Sequence, residues 1–168
     1  SVWNGSIVVD SVQNVEKTPS DAPTISSMTA STNSVGRYKK LELTIGLGNV
    51  QGLNPYNPHL VDLYGTFTSP SGRVWKVNGF YLEESGDAVG QGRWKIRFAP
   101  DEIGTWTYRA SVSNSRGTNT TGAGSFACTA SDRHGWLRVS DNDAHYLEHD
   151  DDKPFLGMGY CRCWDGDE

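Results

Sequence analysis

Trp94-Lys95-Ile96-Arg97-Phe98-Ala99-Pro100-Asp101-Glu102-Ile103-Gly104-Thr105-Trp106-Thr107-Tyr108-Arg109-Ala110 is the stretch on which the fold class turns. In its first five residues three large apolar side chains alternate with two cations, and after Gly104 the alternation resumes through Trp106, Tyr108, Ala110 and Val112. Successive side chains of an extended strand point to opposite faces, so this period of two gives each strand one apolar face and one polar face. Pro100, Asp101 and Gly104 are turn formers, and the Asp101 and Glu102 carboxylates are read as organising that turn. Two strands joined by a tight connection are expected, with Trp94, Trp106 and Tyr108 in phase with the core.

The same period runs outward in both directions. Leu41, Leu43 and Ile45 alternate with Glu42 and Thr44, and Val61, Leu63 and Phe67 share a parity opposite Asp62, Tyr64 and Thr66. Ser69-Pro70-Ser71-Gly72 turns the chain into Arg73 to Val77, a hairpin by turn chemistry. Downstream, the polar stretch 113–124 reads as a loop, and Phe126 and Cys128 close a further strand. Turn signals recur at roughly ten-residue intervals and no helical pattern interrupts them, as expected of an all-β antiparallel sandwich over residues 36–130. Residues 1–35 read as an extension, with a short leading strand at Ile7-Val8-Val9 and then a loose connection through Pro19 and Pro23. Residues 131–168 read as a small hairpin, Gly135 to Val139 against Ala144 to Leu147, followed by an apolar strand from Pro154 to Tyr160 of the buried kind, which lacks its neighbours in this sequence and is expected to be exposed in this chain alone.

At 168 residues the chain has room for one ordinary domain and a remnant. Nineteen Gly, six Trp and seven Tyr favour strands and turns. The net charge is −5 and no basic cluster exceeds Arg37-Tyr38-Lys39-Lys40, which argues against nucleic-acid or anionic-lipid partners. No apolar run approaches the roughly 18 residues of a membrane span, and a soluble chain with a processed or trimmed start is expected. Asn4-Gly5-Ser6 and Asn119-Thr120-Thr121 fit the glycosylation sequon, in keeping with a secreted, extracellular or periplasmic protein. Cys128 stands alone. Cys161 and Cys163 either pack as thiols on one strand face or close a short-loop disulfide, and no neighbouring His makes either a zinc site.

The ordered set Tyr38-Lys-Lys-Leu-Glu-Leu43, Thr66-Phe-Thr-Ser-Pro-Ser-Gly72, Gly79-Phe80-Tyr81, Trp94 to Glu102 and Gly104-Thr-Trp-Thr-Tyr108 resembles one known domain. It is similar to the N-terminal immunoglobulin-like domain of unknown function (domain of unknown function 5060) of bacterial glycoside hydrolases. The resemblance covers residues 37–164. It implies an immunoglobulin- or fibronectin III-like sandwich and a linker hairpin at His134 to Ser140. Pro154-Phe-Leu-Gly-Met-Gly159 would then begin the first strand of a (β/α)8 TIM barrel, truncated here. The Ser1 to Val35 extension, the Cys161/Cys163 pair and the Glu83 to Gly92 loop depart from the pattern.

Candidate chemistry is sparse. Glu148 to Asp152 is a dense ionisable cluster, read as a solvated hairpin turn in preference to a calcium or acid/base site. Glycoside hydrolysis needs two carboxyl groups held across the scissile bond, and a single strand end does not supply them. Catalytic residues, metal and cofactor are therefore expected to be absent, and His145 with His149 has no metal geometry in a hairpin. Trp75, Phe80, Tyr81, Trp164 and Asp165 are the candidates for carbohydrate or for a domain interface; for Phe80 and Tyr81 the interface comes first. The expectation is a non-catalytic accessory sandwich that docks on the catalytic barrel of its own parent chain. An autonomous carbohydrate-binding module, holding polysaccharide on a flat row of aromatics, is the alternative, and no internal repeat favours an adhesive array. Removing residues 131–168 is expected to improve solubility without unfolding the rest.

Overall fold

The computed structural model describes residues 16–84 and 92–157, and among these there is no helix. Thirteen strands are present: β1 (Thr24–Ala30), β2 (Ser34–Gly36), β3 (Leu41–Gly48), β4 (Asp62–Thr68), β5 (Val74–Asn78), β6 (Phe80–Leu82), β7 (Arg93–Phe98), β8 (Gly104–Asn114), β9 (Gly117–Thr120), β10 (Gly124–Thr129), β11 (Leu137–Val139), β12 (Leu147–His149) and β13 (Pro154–Phe155). They form a four-stranded sheet β1-β3-β7-β6, a larger sheet β2-β10-β8-β4-β5 with β9 on β8, and a small sheet β11-β12-β13. Pairing is antiparallel throughout except between β2 and β10.

The two larger sheets share one core. Leu41, Leu43 and Ile45 of β3 and Trp94 and Ile96 of β7 face Leu63 and Phe67 of β4, Trp106, Tyr108, Ala110 and Val112 of β8, and Phe126 and Cys128 of β10. Aromatic rings carry the contact from sheet to sheet: Phe67 stacks on Phe98 at 4.1 Å, and Phe98 lies 5.1 Å from Trp106. The turn between β7 and β8 is tied into this core by the Trp106 indole, which donates to the Glu102 carbonyl at 2.8 Å. The same turn is tied to the β4–β5 turn, because Asp101 holds Arg73 at 3.0 Å and Ser71 donates to Glu102 at 2.7 Å. The two carboxylates thus organise turns, as their position in the sequence suggests.

Two expectations change. The stretch read as a loose connection contains β1, which pairs with β3 and packs Ile25, Met28 and Ala30 against the core. A bulge between Ile25 and Ser27 places the inward Ile25 and Met28 three residues apart, so the period of two is broken where it would have marked the strand. The Ile7 to Val9 stretch lies outside the described residues. Second, the polar stretch after Ser113 is a hairpin: β8 runs on to Asn114 and β9 returns along it, with the Ser111 and Thr120 hydroxyls 2.9 Å apart. The hairpin expected after residue 131 is present as β11 and β12, and the described part of the strand after it pairs with β12 yet is left uncovered, as expected of this chain alone: Phe155 is half-exposed and Leu156 is 80% exposed. Residues from Met158 onward, with Cys161, Cys163, Trp164 and Asp165, lie outside the described set.

Candidate functional site

Gly79 positions the candidate residues. Its N–H donates to the Leu63 carbonyl at 2.7 Å, and a Cβ there would meet the Leu63 side chain at 2.5 Å, so the chain can cross from β5 to β6 this close to the core only at glycine. The crossing puts Trp75 on the edge strand of one sheet and Phe80 and Tyr81 on the edge strand of the other.

Those three side chains do not form a flat row. Trp75 stands in the inward register, opposite Phe67, yet is 42% exposed because nothing pairs with the far side of β5. The Arg73 guanidinium lies 5.8 Å from its ring. Trp75, Val77, Arg97, Phe98 and Trp136 border a hollow of about 240 Å³, so the linker indole and the edge-strand indole share one depression. Phe80 faces the other way, opposite Lys95, with the Arg97 guanidinium 4.8 Å from its ring. Tyr81 is in register with Trp94 and leans on it at 5.3 Å. Its hydroxyl accepts the Gly92 N–H at 2.7 Å.

Tyr56, which sequence reasoning passed over, completes the Tyr81 cluster. It is 69% exposed and meets the Tyr81 ring edge-on at 6.0 Å and 81°. Its loop is built by side chains: Asn54 accepts from the Tyr56 N–H and Asn57 from the His59 N–H, both at 3.0 Å. The Glu16 carboxylate then clamps both Asn side-chain amides at 2.9 Å. Asn54-Pro55-Tyr56-Asn57-Pro58 reads as a loop by composition; an aromatic held between two such turns was the available signal. Hollows of about 640 and 290 Å³ share Pro55, Tyr56, Tyr81 and Trp94 as lining.

The charged groups nearby are committed to one another. Glu42 accepts from Lys95 at 2.9 Å and from Arg97 at 2.7 Å, and these hydrogen bonds, Lys95 first, hold its carboxyl down at about 2. Lys95 also reaches Glu84 at 3.1 Å. The 148–152 cluster is likewise tied down rather than poised for chemistry. Glu148 differs from its reading as a solvated residue: it is buried, opposite Arg138 across β11 and β12, and bonded to it at 2.7 Å. Asp150 accepts the Trp136 N–H at 3.0 Å, Asp151 holds His134 at 2.8 Å and Asp152 pairs with Arg138. His145 bonds Asp143, while His149 packs against His134 and Phe155, so the two histidines serve separate surroundings. Among the described residues no group of three or more His, Cys, Asp or Glu is placed to hold a metal.

Tyr38 joins the C-terminal sheet to the two-sheet body. It adopts φ 62°, donates its N–H to the Pro100 carbonyl in the β7–β8 turn at 2.7 Å, and sets its ring edge-on to Trp136 at 6.1 Å. Burial, followed by its hydrogen bond to Asp150, raises its hydroxyl above the ordinary range.

Residues 34–113 match a family described as Domain of unknown function (DUF5060). Among solved structures, the chain is similar to a candidate glycoside hydrolase from Bacteroides vulgatus ATCC 8482, with 25% identity and a TM-score of 0.55 over 76% of this chain. The chain spans 22% of that protein. A likeness to the Lin-41 filamin domain is weaker, with 13% identity and a TM-score of 0.38 over 65% of this chain and 93% of that one. No curated protein matches the chain.

Proposed function

We propose that this chain is the non-catalytic, immunoglobulin-like β-sandwich of a secreted, polysaccharide-degrading glycoside hydrolase. In this reading it docks on the catalytic barrel of its parent chain through β11–β13 and the Trp75/Trp136 depression. The observation that carries this is where apolar surface is left open. Of eleven large apolar side chains exposed among the described residues, seven lie between Trp136 and Leu156: Trp136, Leu137, Val139, Tyr146, Leu147, Phe155 and Leu156. A monomeric soluble domain seldom leaves so much apolar surface uncovered in one short segment, and such patches mark interaction sites. The likeness to part of a candidate glycoside hydrolase supports a barrel as the covering partner. The tied carboxylates of the 148–152 segment support a structural joint there and not a catalytic one.

Hydrogen–deuterium exchange on this chain alone and on the longer polypeptide that continues into the barrel tests the proposal. Docking predicts that amides of Leu137 to Phe155 become strongly protected in the longer chain, while amides of β1 and β9 do not change. Equal exchange of Leu137 to Phe155 in both would overturn it. This chain alone is expected to hydrolyse no polysaccharide.

A further inference from the structure

We infer that the Tyr56–Tyr81 saddle is a binding site for a neutral, hydroxyl-rich glycan chain, separate from the proposed docking face. Sugar rings present apolar C–H faces to aromatic rings and hydroxyls to polar groups, so a glycan site needs fixed aromatics beside modest hydrogen-bonding capacity. Both are present. Tyr56 is mostly exposed but not free to wander, because its loop is closed by the Asn54 and Asn57 turns and clamped by Glu16. Tyr81 is fixed by its hydrogen bond from Gly92 and by the Trp94 ring behind it. Aromatics held in place before binding lose little conformational entropy on meeting a ligand.

The shape favours a chain over a single sugar. The two tyrosines line both the hollow of about 640 Å³ and that of about 290 Å³, of the order of ordinary small-molecule sites at roughly 300–1,000 Å³. A polymer can therefore reach both hollows while in contact with the same pair of rings. The larger hollow offers Ser27, Thr44 and Gln51 as polar lining. Charge selects the class. Arg93 at the rim is paired with Glu84 at 3.3 Å, and the nearby Lys17 donates to the Gln51 carbonyl at 2.8 Å. A neutral chain leaves those surface interactions intact.

Isothermal titration of this chain with cellohexaose, xylohexaose, mannohexaose and laminarihexaose, and with a pectic hexagalacturonate, tests the site. At least one neutral oligosaccharide is expected to bind, and Tyr56→Ala is expected to weaken it by about tenfold, the worth of one aromatic stacking contact. Trp75→Ala should leave that affinity unchanged, which separates this site from the docking face. An unchanged melting temperature for Tyr56→Ala would show that the loss is one of binding. Absence of neutral binding, binding only to the galacturonate, or equal affinity in Tyr56→Ala would each overturn the inference.

Discussion

Glu42 shows how a single polar residue on an outer strand face contributes to stability. Its carboxyl is held at about 2, against an ordinary 4.5, because Lys95 and Arg97 both donate to it. A carboxyl depressed in the folded state contributes stability in full above its unfolded value, and that contribution is lost as the pH falls from about 4.5 through about 2. Glu42→Gln is therefore expected to cost on the order of 2 kcal/mol at pH 7, allowing for screening at a site that is not fully enclosed, with the difference from wild type shrinking toward pH 2. Urea titrations of both proteins at pH 7 and below pH 3 measure this; parallel acid destabilisation would contradict it. Trp106 tests the core. It is wholly buried, contacts Phe98 and Phe126, and holds the β7–β8 turn through its indole N–H. Trp106→Ala should cost about 3–5 kcal/mol, against which Trp106→Phe keeps much of the ring contact and loses mainly the turn bond.

Among the elements, the strands legible in the sequence are those with one fully dry face and an unbroken register. Leu41, Leu43 and Ile45, and Trp94 and Ile96, alternate cleanly because β3 and β7 are central in their sheet and pair with each other in an unbroken register. β1 was hidden by its bulge, and β9 by being polar on both visible faces, where hydroxyl pairs and not apolar burial mark the strand. The candidate site was legible in part for the same reason. Phe80 and Tyr81 stand out beside Gly79, but Tyr56 belongs to a loop whose shape comes from Asn side chains and a carboxylate about forty residues away, a tie with no periodic signature. Gly65 carries a prediction at this level: a Cβ would meet the Phe67 ring at 2.9 Å and Ile96 at 3.1 Å, so Gly65→Ala should overpack the inter-sheet core and cost about 1–3 kcal/mol by chemical denaturation. The cut expected to leave a soluble body also needs adjusting. Ser131 donates to the Arg37 carbonyl at 2.5 Å and Asp132 pairs with Lys39 at 2.9 Å, so truncation after Arg133 should keep cooperative melting, whereas truncation after Ala130 should lower the melting temperature.

For the molecule as a whole, two kinds of surface have been set apart. The core closes the two larger sheets on each other, while the small sheet beyond residue 136 leaves its apolar side chains uncovered and is anchored to the body through Tyr38 and Asp150. An anchored joint with an open apolar face is suited to transmitting stability between the two-sheet body and the proposed barrel. The hollows beside the Tyr56–Tyr81 pair are lined by different residues from the Trp75/Trp136 depression, so the proposed docking and the inferred glycan binding can be disabled separately. Differential scanning calorimetry of a longer polypeptide that joins this chain to the proposed barrel, beside a variant carrying Trp136→Ser and Phe155→Ser, tests the proposed docking role most directly. Docking predicts one cooperative transition for the wild type, split into two in the variant; two independent transitions in the wild type, unmoved by the substitutions, would contradict it.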